Sequence, residues 1–328
     1  MSKRAITKGM WGLLLVLAAL SANGFAETPP DPLALFRKAV NPPVPFTCKI
    51  VVTSWHSPKG ETALLREWRL PDGRYRIEYL APRKLSGTVL ISDGKRRWRI
   101  VNGQAIWDLT IDELTAGRLN SLSQNYDLKV LKPMSVINRK GWLVAITPKV
   151  KGKPHFRFVL DAEHGIPLKG ELLSGGETPV AFMAVTELKI LKPSEIDPKL
   201  FSAPKQRLSS RNYPKPLSKP EAQRKWSVRL PDRLPFGFAF ERVEEVPLLK
   251  KSPVLHAVYS DGLTRISLFI LPKGQKIPSV STRVKAFSGR INGRTFLLLG
   301  SVSERLLRQI ATSIAASQEH GFAKTPSR

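Results

Sequence analysis

The chain has 328 residues, 42% of them hydrophobic, and carries 53 Lys and Arg against 26 Asp and Glu, a net charge of +27. The length and apolar content are enough for two ordinary domains with packed cores. The single cysteine, Cys48, excludes an internal disulfide, so the fold must hold by its apolar core, and a bland buried thiol is the reading for it.

Residues 1–26 read as an export signal. Lys3, Arg4 and Lys8 give a positive start, residues 11–20 are apolar, and in Gly24-Phe25-Ala26 the outer two are the small residues a signal peptidase reads. Cleavage is expected between Ala26 and Glu27. The apolar run is well short of the ~20 residues a bilayer span needs, and no later stretch is long and apolar enough. The expected mature chain is a soluble periplasmic protein with no stable transmembrane span. Its charge falls from +27 to +24, because the signal holds three basic residues and no acid. An exported protein rarely meets nucleic acid, so the charge points to anionic lipid, lipopolysaccharide or an acidic protein segment. The short runs Lys95-Arg96-Arg97 and Lys149, Lys151, Lys153 have no helical or groove-like spacing and read as solvated faces.

Asp31 before Pro32 predicts a helix start, with Leu33, Phe36 and Val40 on one face. Short strands follow. Tyr75, Ile77 and Tyr79 alternate with Arg74, Arg76 and Glu78, the pattern of a sheet with one wet face. Residues 88–91 and 98–101 flank Asp93-Gly94 as a hairpin, and Thr110 with Glu113 caps a helix carrying Leu114 and Leu119. Strands are expected at 141–146, 155–160, 168–173 and 182–188, in a mainly antiparallel sheet. Pro and basic residues then accumulate between Pro204 and Pro220, the composition of a stiff linker. Beyond it, residues 254–259 and 263–271 flank Asp261-Gly262 as a hairpin, and Asn292-Gly293 marks a second. Ser301 with Glu304 predicts a capping box for a last helix with Leu306, Leu307, Ile310 and Ile314 as its apolar stripe.

The stretch Tyr259-Ser260-Asp261-Gly262-Leu263, followed by Ser267-Leu268-Phe269-Ile270 and residues 289–314, resembles the C-terminal domain of the MucB/RseB family. Those proteins are periplasmic regulators of the envelope-stress sigma factor, sigma-E. Earlier phrases resemble the LolA-like lipoprotein-carrier fold of that family's N-terminal domain. They are residues 71–76 with Pro82, residues 92–95 with Trp98, Asn125-Tyr126, Gly141-Trp142, Asp161 with residues 165–168, and Lys199-Leu200-Phe201. The expected fold is α+β: a curved antiparallel half-barrel sheet with helices on its concave side, plus a smaller α+β domain. The expected organisation is a signal at 1–26, a LolA-like domain at 31–205, a Pro-rich linker at 206–224, a C-terminal domain at 225–317 and a disordered tail at 318–328.

The resemblance implies an apolar cavity in the larger domain. Trp55, Trp68, Trp98, Trp107 and Trp142 all fall there and are candidates to line it for an acyl lipid, with plain core packing as the alternative for each. It also implies contact between the smaller domain and the periplasmic segment of an anti-sigma factor. The matching candidates are Tyr259, Ser260, Asp261, Gly262 and Leu263, although a type I′ turn alone explains Asp261-Gly262.

His56, His155, His164, His256 and His320 include no pair with metal-ligand spacing. The chain also lacks a nucleophile elbow and a Gly-rich phosphate loop. No enzyme, cofactor or metal is expected. Two readings follow. One is a regulator that binds an anti-sigma factor and modulates its proteolysis, with lipid sensing in the large domain. The alternative is a periplasmic lipid or lipoprotein carrier of the LolA-like type.

Overall fold

The computed structural model describes residues 28–55, 60–94, 97–101, 104–107, 116–174, 178–202, 214–247, 252–275 and 285–319. The export signal with Ala26 and Glu27 lies outside them, as do Thr110, Glu113 and Leu114. From Asp31 onward the described residues form one compact unit.

Helix α1 (Pro32–Val40) starts where its chemistry asks. The Asp31 carboxylate accepts the N–H groups of Leu33 and Ala34, both at 3.1 Å, and Pro32 needs no donor partner there. The strands β1 (Phe46–Ser54), β2 (Glu61–Arg69), β3 (Arg74–Ala81), β4 (Val89–Asp93), β5 (Arg97–Val101) and β6 (Gln104–Trp107) follow, then helix α2 (Ala116–Asn125). A second run comprises β7 (Tyr126–Val136), β8 (Arg139–Pro148), β9 (His155–Asp161), β10 (Pro167–Leu173) and β11 (Pro179–Ile190). All eleven pair antiparallel in one open sheet of order β6-β5-β4-β3-β2-β1-β11-β10-β9-β8-β7. The two runs meet where β1 pairs with β11, Phe46 opposite Ile190.

One face of this sheet carries the helices. Leu35 and Phe36 of α1 and Leu119 and Leu122 of α2 pack with Tyr126, Trp142, Val144, Ile146 and Leu160. Strand alternation places those sheet residues on the same side. The turn after β9 reaches α1, where Lys38 Nζ donates to the Glu163 carbonyl at 3.1 Å, and it is itself held by Asp161. Arg139 donates to both carboxylate oxygens of Asp161, at 2.7 and 3.2 Å, and the His164 N–H donates to Asp161 Oδ1. That turn presents Gly165 at φ 72° directly beneath α1.

The second sheet comprises β12 (Lys215–Leu217), β13 (Arg233–Leu234), β14 (Phe238–Val246), β15 (Val254–Ser260), β16 (Arg265–Ile270), β17 (Lys285–Ile291) and β18 (Arg294–Gly300). Its order is β12-β14-β15-β16-β18-β17, with β13 on β14. Helices α3 (Lys219–Trp226) and α4 (Glu304–Glu319) share its core. Leu306, Leu307, Ile310 and Ile314 of α4 are all buried with Leu255, Tyr259, Leu268 and Leu298. Each such side chain is worth roughly 1.5–3 kcal/mol of burial. The β17–β18 turn is the expected one, since Asn292 (φ 49°) and Gly293 (φ 72°) both take the positive φ a type I′ turn requires.

Four local expectations are corrected. Asp261-Gly262 is not a two-residue turn: Ser260 pairs with Arg265, leaving a four-residue loop at 261–264. The Asp261 side chain organises that loop by accepting the N–H groups of Leu263 (3.1 Å) and Thr264 (2.8 Å), so only Gly262 needs positive φ. The cap of α4 is Ser303 rather than Ser301, its hydroxyl accepting from Leu306 N. The end of the Pro-rich stretch is structured, with Pro216 in edge strand β12 and Pro220 in the first turn of α3. Finally, Gln318 is buried and its amide bridges the backbone of Arg229, so α4 continues past the expected start of the tail.

Candidate ligand cavity and the buried link between the sheets

Beneath α1 lies an apolar cavity of about 260 Å³. Phe36, Ala39 and Val40 form its roof. Phe46, Cys48 and Ile50 of β1, Phe158 and Leu160 of β9, Ile166, and Met183 of β11 form its floor and sides. Alternation along β1 sends Phe46, Cys48 and Ile50 to one face, and antiparallel pairing brings Glu67 and Arg69 of β2 to the same side. The two charges pair at 2.7 Å, and the Arg69 guanidinium lies 5.2 Å from the Tyr75 ring centroid. Burial, with the Glu67 carboxylate as a lesser cause, pushes the Cys48 thiol far above its ordinary range. Cys48 is therefore an apolar wall group here, without thiolate reactivity.

Leu263, the last residue lining this cavity, comes from the second sheet. It sits in the 261–264 loop, whose Asp261 is bound to residues of α2, of the first sheet and of the β8–β9 connection. The Asp261 carboxylate lies 2.7 Å from Lys153 Nζ, with both side chains 0% exposed. It also accepts from the Tyr126 hydroxyl (2.9 Å) and from Thr264 Oγ1 (3.0 Å). Asn125 Nδ2 donates to the Asp261 carbonyl at 3.0 Å. The Lys153 ammonium lies 5.3 Å from the centroid of Tyr126 and 4.8 Å from that of Phe238, so aromatic faces take up the charge that water cannot reach. Lys153 belongs to the β8–β9 connection, which reaches into the second sheet's core through Val150 and accepts the Ser303 N–H at Gly152 O, 2.6 Å away.

Burial, and secondarily the Asp261 charge, raises the pKa of the Tyr126 phenol well above its ordinary value of 10.0. The unfolded chain releases that proton near pH ~10 while the folded chain retains it. The stabilisation is thus whole below pH ~10 and is lost as pH rises above it. Tyr126→Phe is expected to flatten the alkaline limb of a denaturant-midpoint profile. An unchanged alkaline slope in that variant would remove Tyr126 as the titrating group.

These contacts revise the sequence-level site. Tyr259, Ser260, Asp261 and Gly262 are buried and Leu263 is half-buried, so the five form an internal seam and not an open partner surface. None of the described Trp side chains lines the cavity under α1, and Trp68 instead borders a pocket on the opposite face of the sheet. Trp68 follows Glu67 on β2 and so faces the other side of the sheet. Trp98 is carried to that same side by pairing with Ile91, which pairs with Arg76, itself opposite Trp68. Trp142 shares the cavity's face but packs in the core under α1 and α2, and Trp55 is 49% exposed at the end of β1. Trp107 ends β6 with its side chain outside the described residues. Lys153, read as one of a solvated series, is the buried cation of the seam. The flanking Gly152 and Pro154 mark a loop there, but not what its lysine pairs with.

His256 is buried and its ring joins Glu244 and Ser267, each at 3.1 Å, while stacking on Phe269. This is the sheet residue expected from its strand position. Among the described residues, His, Cys, Asp and Glu do not gather in groups of three or more able to hold a metal. No described helix is long and apolar enough to cross a membrane.

A helix-roofed apolar cavity in an open antiparallel sheet, with one wall supplied by a second docked sheet, is the geometry of a binding protein. Residues 91–211 match the MucB/RseB N-terminal domain and residues 220–315 the MucB/RseB C-terminal domain. The chain belongs to the MucB/RseB family. Three solved structures share its fold: MucB (TM-score 0.59, 18% identity), the Pseudomonas aeruginosa MucA/MucB complex (0.60, 19%) and MucB in complex with MucA(peri) (0.61, 19%). Each alignment covers 86% of this chain and 97% of the other. No curated protein matches the chain.

Proposed function

We propose that this chain is a periplasmic regulatory binding protein, exported through residues 1–26 with cleavage between Ala26 and Glu27. It binds the periplasmic part of a membrane-bound anti-sigma factor and modulates that factor's proteolysis. An acyl lipid in the cavity under α1 is the envelope-stress signal. The observation that carries this reading is the pair of MucB/RseB domains in family order, on a fold shared with MucB, whose structures include complexes with MucA and MucA(peri). The surplus of basic residues supports an acidic protein segment as partner. For lipid to release the partner, it must bind the free state better than the complexed one. The role is binding, with no cofactor. The two sheets support functional parts at 31–205 and 225–317, joined by 206–224.

The apolar cavity taken alone also favours a lipid or lipoprotein carrier. A calorimetric titration separates the two readings. The mature chain, expected to begin at Glu27 by N-terminal sequencing, is titrated with the periplasmic segment of an anti-sigma factor from the same genome. Saturable binding that weakens as salt rises past ~0.15 M is expected. Absence of binding at every salt concentration would leave the carrier reading alone.

A further inference from the structure

We infer that Leu263 is the end wall of the cavity and sets the length of apolar chain it accepts, so that occupancy of the first sheet is felt by the loop that docks the second. This deepens the acyl-lipid reading above and rests on it. The roof and floor are rigid parts of the first sheet. Ile50 and Ile166 are buried strand and turn residues, and α1 packs Leu35 and Phe36 against the sheet and donates from Lys38 Nζ to the Glu163 carbonyl. Leu263 alone among the lining residues arrives from a loop of the other sheet. It is half-buried, packed beside the cluster of Phe36 and Leu122 but outside any strand ladder.

The cavity's volume, about 260 Å³, lies just below the ~300–1,000 Å³ usual for small-molecule pockets. It suits one acyl chain and is too small for several. A chain longer than the cavity must press on Leu263. The backbone N–H of Leu263 is held by Asp261 Oδ1, and Asp261 is held by Lys153 and Tyr126. Displacing Leu263 therefore strains the contacts that join the sheets, whereas a shorter chain leaves them seated. The Glu67–Arg69 pair in the wall provides the polar point for the chain's head. The ligand class is a single-chain amphiphile, either a free fatty acid or a lysophospholipid.

The test uses the full mature chain, with laurate and palmitate titrated against wild type, Leu263→Ala and Leu263→Met. Palmitoyl lysophosphatidylglycerol runs beside palmitate to separate a lipid tail from a free acid. Truncation to Ala lengthens the cavity, and the preference for palmitate over laurate should rise roughly tenfold, the worth of about two more buried methylenes. Leu263→Met keeps the volume and should keep the wild-type ratio. Chain-length ratios identical in wild type and Leu263→Ala, with both binding, would overturn the inference and leave the acyl site standing. Failure of wild type to bind any of the three probes would overturn the acyl site and this inference together.

Discussion

Lys153→Met is expected to cost about 3–5 kcal/mol of unfolding free energy, because it leaves the Asp261 carboxylate buried without its cation. The two side chains are fully shielded and 2.7 Å apart. Asp261 would retain the Tyr126 hydroxyl and the loop N–H groups, which places the loss toward the lower end of that range. Adding Asp261→Asn should recover most of the loss. The amide oxygen can still accept from Leu263 and Thr264, and no bare charge remains. Urea denaturation followed by Trp fluorescence measures both variants. A single-variant cost below about 1 kcal/mol would show that water reaches the pair. Additive losses in the double variant would show that the two residues do not act as a unit.

The second large effect is expected at Gly165. Its φ of 72° suits glycine, and a Cβ there would clash with Lys38 Cβ and lie 3.0 Å from the Leu35 carbonyl oxygen. Gly165→Ala should cost about 2–4 kcal/mol, combining the left-handed penalty with overpacking against the α1 backbone. Gly73 isolates the first of these. Its φ is 84°, yet a methyl group at that position would meet nothing within 4 Å. Gly73→Ala should therefore cost only about 1–2 kcal/mol. Equal midpoint shifts for the two variants would mean that α1 yields without cost. Because α1 roofs the cavity proposed for an acyl lipid, Gly165→Ala should weaken any such binding, and Gly73→Ala should not.

What the sequence made legible was local. The Asp31 cap, the Asn292-Gly293 turn and the 306, 307, 310 and 314 stripe each follow from residues within a turn or two of one another. The strands at 141–146, 155–160, 168–173, 182–188 and 254–259 were readable for the same reason, whereas β2, β7 and β14 were not read. The seam was not, because the worth of Lys153 depends on Asp261, far along the chain, and no neighbour in sequence marks Lys153 as paired where Lys149 and Lys151 are not paired with Asp261. Asp261-Gly262 carried a real signal that was assigned to the wrong cause. The Asp is there to hold a four-residue loop and a buried cation, and a two-residue turn would have served neither. The cavity was hidden for another reason. Phe158, Ile166 and Met183 look like ordinary strand and turn residues, while the conspicuous tryptophans fall on faces fixed by strand parity and sheet register. Register is a property of paired strands and cannot be read from one of them.

The joining of β1 to β11 also governs how the chain must assemble. As the chain emerges from its amino end, β1 and β2 can form a hairpin at once, but the other edge of β1 stays bare until residues 179–190 arrive. The larger sheet can therefore be completed only late, and its closing step is slow because it joins segments distant in sequence. Until then a strand rich in Ile and Val offers unpaired N–H and C=O groups to any neighbour. A truncated product lacking β11 is expected to expose β1 as an aggregation-prone edge.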